Sequence, residues 1–187
     1  MKIFIGGSIN FKLLNKRIHE RLNNMRDQGF HIITGDADGA DKSVQSFFQK
    51  MKYPNLEIYC SGNICRNNLN NWPIHNVDVD SGIKGRKFYM VKDFEMAKDC
   101  DYGFMLWDGK SPGTMNNILN LLIENKKVLV YFSPLENFFT ISDLHTLNQL
   151  LKECKSENID LIDKKIQLLN RIAKLKDPMP EQLELII

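Results

Sequence analysis

Short apolar runs alternate with helical patterns along most of this chain, and that alternation limits the possible folds more than any other feature. KIFI (2–5), FHIIT (30–34), LEIYC (56–60), YGFMLW (102–107) and KVLVYF (127–132) read as strands. Leu14, Ile18, Leu22 and Met25 recur every three or four residues, as on one helix face, and Gly29 closes that helix. Further helices are expected over 39–52, with Ala40, Val44 and Phe47 on one face, over 85–99, with Met90, Phe94 and Ala97, and over 113–125. Strands separated by helices argue for a parallel sheet. Nearly unbroken apolar strands argue that both sheet faces are covered. The expected architecture is therefore α/β, a Rossmann-like open parallel sheet of about five strands with helices on both faces.

That core is expected over residues 1–133. The remainder, 134–187, departs from the alternation. Leu144, Leu147, Leu151 and Cys154 form one helical stripe, and Ile162, Ile166, Leu169, Ile172 and Leu175 form a second. Pro178 and Pro180 are expected to stop the second helix. The pair is expected to pack on the core or on a partner. Residues 61–84, rich in Asn, Gly and Asp, form a long loop of the kind often used for function.

Composition narrows the function classes. With 43% hydrophobic residues the chain is globular. A net charge of +2, from 25 basic and 23 acidic residues, gives no electrostatic reason to expect a nucleic-acid partner. No apolar run approaches the roughly 20 residues that span a bilayer, so no membrane role is expected. No secretory leader is recognisable, so a cytoplasmic setting with reduced thiols is expected. Cys60, Cys65, Cys100 and Cys154 include no C-x-x-C pair and the four histidines are scattered, so no metal site is expected.

In open parallel sheets, ligands gather at the carboxyl ends of the strands. Three glycine-bearing loops fall there: Gly6-Gly7-Ser8, GDADGAD (35–41) and WDGKSPGT (107–114). Each runs into a helix, whose first N–H groups suit an anion. Gly6, Gly7, Ser8, Gly113 and Thr114 are thus candidate phosphate contacts, with Gly35 and Gly39 allowing close approach. Arg86 offers a bidentate phosphate contact. Asp36 or Asp41 would hold a ribose or base, and Trp107 or Trp72 would stack on the base. Asp38 or Asp41 equally suits the N-cap of the following helix. The three carboxylates at 36, 38 and 41 need not converge on a metal.

These motifs resemble the Rossmann-like superfamily named for its Smf/DprA and lonely-guy members (SLOG). The G-x-A-x-G-A-D element at 35–41 is similar to the YpsA-related branch. The resemblance covers about residues 1–132 and implies nucleotide-type ligands. Lonely-guy members are phosphoribohydrolases with the signature R-K…M…D…P-G-G-x-G-T-x-x-E. Arg86-Lys87, Met96, Asp101 and Gly113-Thr114 fall in matching places, but the final glutamate corresponds to Asn117. An amide does no acid–base work, so the resemblance implies binding without hydrolysis. A similar D-G-x-x-x-x-G-T turn occurs in nucleoside 2-deoxyribosyltransferases, whose chemistry needs a carboxylate nucleophile.

The sequence is thus read as a binder of a nucleotide or nucleoside derivative, with no cofactor and with association into homo-oligomers. The ligand set is Gly6, Gly7, Ser8, Gly35, Asp36, Gly39, Asp41, Arg86, Trp107, Asp108, Gly113, Thr114 and Asn117. The first alternative is an N-glycosidic enzyme with Asp108, Asp36, Asp41 or Arg86 as catalytic candidates. The second alternative is a protein- or single-stranded-DNA-interaction module.

Overall fold

A computed structural model describes residues 1–176. It is α/β, with a seven-stranded sheet and seven α-helices among the described residues. The strands are β1 (Lys2–Gly7), β2 (His31–Gly35), β3 (Leu56–Ser61), β4 (Ile74–Val77), β5 (Tyr102–Trp107), β6 (Val128–Phe132) and β7 (Asn137–Ile141). Their order is β4-β3-β2-β1-β5-β6-β7. All neighbours are parallel except β7, which returns antiparallel to β6. The helices are α1 (Lys16–Asp27), α2 (Ala40–Lys50), α3 (Arg86–Asp99), α4 (Pro112–Ile123), α5 (Leu144–Lys152), α6 (Ser156–Ile166) and α7 (Leu168–Lys176).

Period-two alternation sorts the strand side chains onto two faces. Ile3, Ile5, Phe104 and Leu106 meet Ile18 and Leu22 of α1 and Val44 and Phe48 of α2 on one face. Phe4, Met105, Trp107 and Val130 meet residues of α3 to α7 on the other. Local chemistry sets the helix starts. The Asn15 side chain accepts from the Ile18 N–H at the start of α1. Ser111 caps α4, with Pro112 at its first position. Asp143 and Thr146 form a reciprocal capping box on α5.

Two strands beyond the expected five lie at the sheet edges. β4 (IHNV) is exposed at three of its four residues, and β7 (NFFTI) is only part-buried. Edge strands carry no continuous apolar run, so periodicity does not find them. The C-terminal segment holds three helices rather than two, because Gln167 takes a left-handed conformation (φ 54) between α6 and α7. Leu147, Leu150, Ile162, Leu168 and Ile172 join the strand residues in one core cluster. Arg171 on α7 donates to the Asn116 and Asn120 side chains on α4, at 2.5 and 2.8 Å. Pro178 and Pro180 lie outside the described residues.

The inward face of α3 also differs from expectation. Met96 and Ala97 are buried, whereas Phe94 is 37% exposed with Lys98 over its ring. The inward side of α3 runs instead through Lys92, Met96 and Ala97. No helix among the described residues is long and apolar enough to cross a membrane.

Two glycines test how loop packing shapes the carboxyl-end rim. Gly39 has φ +78, and a Cβ there would strike the Ile9 backbone. Gly113 has only Ser111 Oγ at 3.8 Å and Arg86 Nη2 at 3.9 Å near the same position. Gly39→Ala is therefore expected to cost about 2 kcal/mol, while Gly113→Ala stays within about 0.5 kcal/mol of the parent or gains. Urea unfolding of the two variants measures this, and equal losses would contradict it.

Candidate functional site

The sheet changes direction at β1, whose neighbours β2 and β5 lead to opposite edges. The crevice outside the ends of β1 and β5 is where such folds take ligands. Here the two loops are fastened to each other. The Ser8 hydroxyl donates to Asp108 Oδ1 at 2.9 Å and lies 3.2 Å from the Thr114 hydroxyl. Asn10 Nδ2 donates to Asp108 Oδ2 at 2.8 Å. The Lys110 and Ser111 amides donate to Asp108 Oδ1 at 3.0 and 2.8 Å. Burial opposes ionisation of Asp108, but the hydrogen bonds from Asn10, Ser111, Lys110 and Ser8 outweigh it and hold the carboxyl below its usual range.

The rim amides are engaged as well. The Ser8 N–H donates to the Leu106 carbonyl and the Ala40 N–H to the Ser8 carbonyl. Ala37 donates to Asp41, and Thr114 to Ser111 Oγ. Glycine serves this packing directly. A Cβ on Gly7 would meet Leu106 and Ala40, one on Gly6 would lie 3.1 Å from the Phe4 ring, and one on Gly35 would collide with Asp41 and Lys92. Ser8 and Thr114 are buried. Several of the amides expected to form a cradle between these loops are thus engaged by the chain's own groups.

Trp107 and Trp72 are core residues, with their indole N–H groups given to the Ser111 and Tyr53 carbonyls. Neither presents the stacking face expected of it. Asn117 is buried in α4, and its side-chain oxygen has no partner among the described residues. Beside the rim, a groove of about 910 Å³ between α1 and α2 is lined by apolar residues such as Ile9, Leu13, Phe47 and Met51 and by polar ones including Asn10, Lys12, Asp38, Lys42 and Lys50.

The carboxylates of GDADGAD have separate fates. Asp36 is 2% exposed and accepts three bonds from Arg66: its main-chain N–H at 3.0 Å, Nε at 3.0 Å and Nη2 at 2.6 Å. Burial raises its pKa, but Arg66 and Lys92 more than offset this and hold the carboxyl below the usual range. Asp38 is exposed, 3.5 Å from Lys42. Asp41 lies inside and is pushed up to about 6, mainly by burial and further by Asp93, against the pull of Lys92. Lys92 bonds Asp93 at 2.7 Å and lies 3.9 Å from Asp36.

The exposed groups of this rim are cationic and aromatic. Arg66 lies over the Tyr89 ring at 4.1 Å from its centre. Tyr89 is 43% exposed. Arg86, at the start of α3, reaches the first turn of α4 beside Gly113. Lys84, Lys87 and Lys110 are exposed on the adjoining loops and helix. Sequence reasoning found Arg86 but missed Arg66, Tyr89 and Lys92. Arg66 lies in a segment without periodicity, and Lys92 was hidden within an apparently ordinary helix. The expectation of reduced thiols also fails for one pair, because Cys60 and Cys65 form a disulfide with Cα atoms 5.3 Å apart.

No family model and no curated protein matches this chain. Among solved structures it is similar to DNA processing protein A from Helicobacter pylori, described for its single-stranded DNA binding mode. The TM-score is 0.56 at 15% identity, over 89% of this chain and 80% of that one. At this identity the likeness is one of fold, and it agrees with the Rossmann-like sheet implied by the resemblance to the Smf/DprA–lonely-guy superfamily. It corrects two expectations. The reading of a small nucleotide as ligand, and of nucleic acid as an improbable partner, gives way to a neighbour that handles single-stranded DNA.

The raised Asp41 pKa gives a test of the buried network. A carboxyl whose folded pKa exceeds its unfolded value contributes stability below the unfolded pKa, and that contribution is lost as pH rises through the folded pKa. The window runs from 3.8 to about 6. Asp41→Asn is expected to gain on the parent by about 1–2 kcal/mol at pH 7 relative to pH 4.5. Parallel pH dependence of the two urea midpoints would refute this.

Proposed function

We propose that this chain binds single-stranded nucleic acid along the rim formed by α3, the β5–α4 loop and the loop after β3. The supporting observation is the seat of Arg66 on the half-exposed Tyr89, with Arg86 beside the first turn of α4 and Lys84, Lys87 and Lys110 exposed on the adjoining loops and helix. Such a set of cations suits a polyanion laid across a surface, where lysines and arginines neutralise successive phosphates and release counterions. A half-exposed ring with one guanidinium on its face suits a base that is free to unstack onto the other face. A duplex would hold its bases away from Tyr89. The fold likeness to a single-stranded DNA-binding protein supports the same reading. Specificity of sequence is not part of the proposal, because stacking and phosphate contacts read no base edges.

The balanced total charge is no obstacle. Some carboxylates are neutralised by a buried partner, as Asp93 is by Lys92. Others cap loops, as Asp108 and Asp143 do. What a polyanion meets is the local field of the rim, not the sum over the chain.

Fluorescence anisotropy with a labelled oligo-dT tests the reading. Binding is expected to weaken steeply with salt and to exceed binding of a blunt duplex. Arg86→Ala is expected to weaken binding by about fivefold to tenfold and to reduce the salt slope by about 1. No oligonucleotide binding at low salt, or an Arg86→Ala variant that binds like the parent, would overturn the proposal.

A further inference from the structure

We propose that Cys60 and Cys65 are a thiol–disulfide switch whose bonded state holds the Arg66 loop shut over the rim. The device is inferred for the nucleic-acid site proposed above and rests on that reading. Cys60 is buried near the end of β3, and Cys65 is half-buried in the loop that follows. Arg66 is the next residue. Its main-chain N–H and guanidinium both meet Asp36, and its plane lies over Tyr89. The disulfide therefore closes a short ring whose last residue adjoins the central cation of the rim. In that state the Arg66 charge is satisfied by Asp36 and one face of Tyr89 is covered.

The far end of the loop is anchored separately. Gln45 binds both Asn67 and Leu69, Asn68 brackets Trp72, and the Trp72 indole donates to Tyr53. Reduction then loosens only the near end, around residues 62–66, and leaves the sheet in place. It frees Arg66 and Tyr89 for phosphate and base, so the reduced state is the tighter binder.

The exchange balances with a small-molecule disulfide such as oxidised glutathione. The more accessible Cys65 thiolate attacks one of its sulfurs and expels one thiolate, giving a mixed disulfide. The Cys60 thiolate then displaces the second. Two cysteine thiols lose two protons and two electrons, and the small disulfide leaves as two thiols. A dithiol reductant reverses both steps. Cys100 and Cys154 stand apart from the exchange as free thiols, both pushed up to about 11, chiefly by burial.

The full chain is equilibrated with dithiothreitol or with oxidised glutathione, desalted, and assayed three ways. Thiol titration after denaturation is expected to give four thiols reduced and two oxidised. Trypsin is expected to cut after Arg66 several-fold faster in the reduced protein. Oligo-dT is expected to bind about fivefold tighter when reduced, and Cys65→Ser is expected to match the reduced parent under both conditions. Four thiols after oxidation, or equal cleavage at Arg66 in both states, would overturn the switch even if Cys65→Ser fails to fold. If thiols and cleavage change but no oligonucleotide binds in either state, the loop switch stands and the nucleic-acid reading falls.

Discussion

The rim depends on one carboxylate. Asp108 follows the strand beside β1 and accepts bonds from the β1 loop, from its own turn and from the loop residue Asn10. An aspartate in this position must be ionised to accept so many donors, and its lowered pKa is the measure of how well they are arranged. Those donors tie the two loops together at the reversal of strand order, and α3 and the loop after β3 lie to one side of them.

There a second electrostatic group takes over. Asp36, Asp41 and Asp93 surround Lys92 beneath the surface, and Arg66 covers Asp36 from above. Burying so many charges costs free energy unless each is paired and hydrogen-bonded. The pairing is uneven. Asp36 is held ionised, while Asp41, with one backbone donor, is pushed toward its neutral form. This network positions Arg66 and the loop carrying it, so a structural ion cluster becomes the support for an exposed cation.

The strand–helix alternation made the central sheet legible, because doubly covered strands such as FHIIT and YGFMLW must be apolar throughout. The edge strands were not legible, since half of each faces away from the core. The glycine loops were located correctly at the carboxyl ends. Their purpose was not legible, because sequence alone does not distinguish a glycine that admits a ligand from one that admits Leu106 or Ile9. Arg86 was visible through its motif. Arg66 was not, because its role comes from a contact with Asp36 thirty residues earlier in the chain. Total charge also misled: a sum over all residues hides which carboxylates are already neutralised inside.

The central place of β1 has a consequence for how the chain assembles. This strand precedes the others of the sheet, and β2 soon follows, but its other partner arrives 99 positions later, when Lys2 and Asp101 meet. Closing so wide a loop is entropically costly and slow. Until it closes, β1 to β3 can be covered by α1 and α2 on one side only, and Phe4, Ile33 and Tyr59 wait uncovered on the other. A chaperone meeting the nascent chain would find its grip on that waiting side.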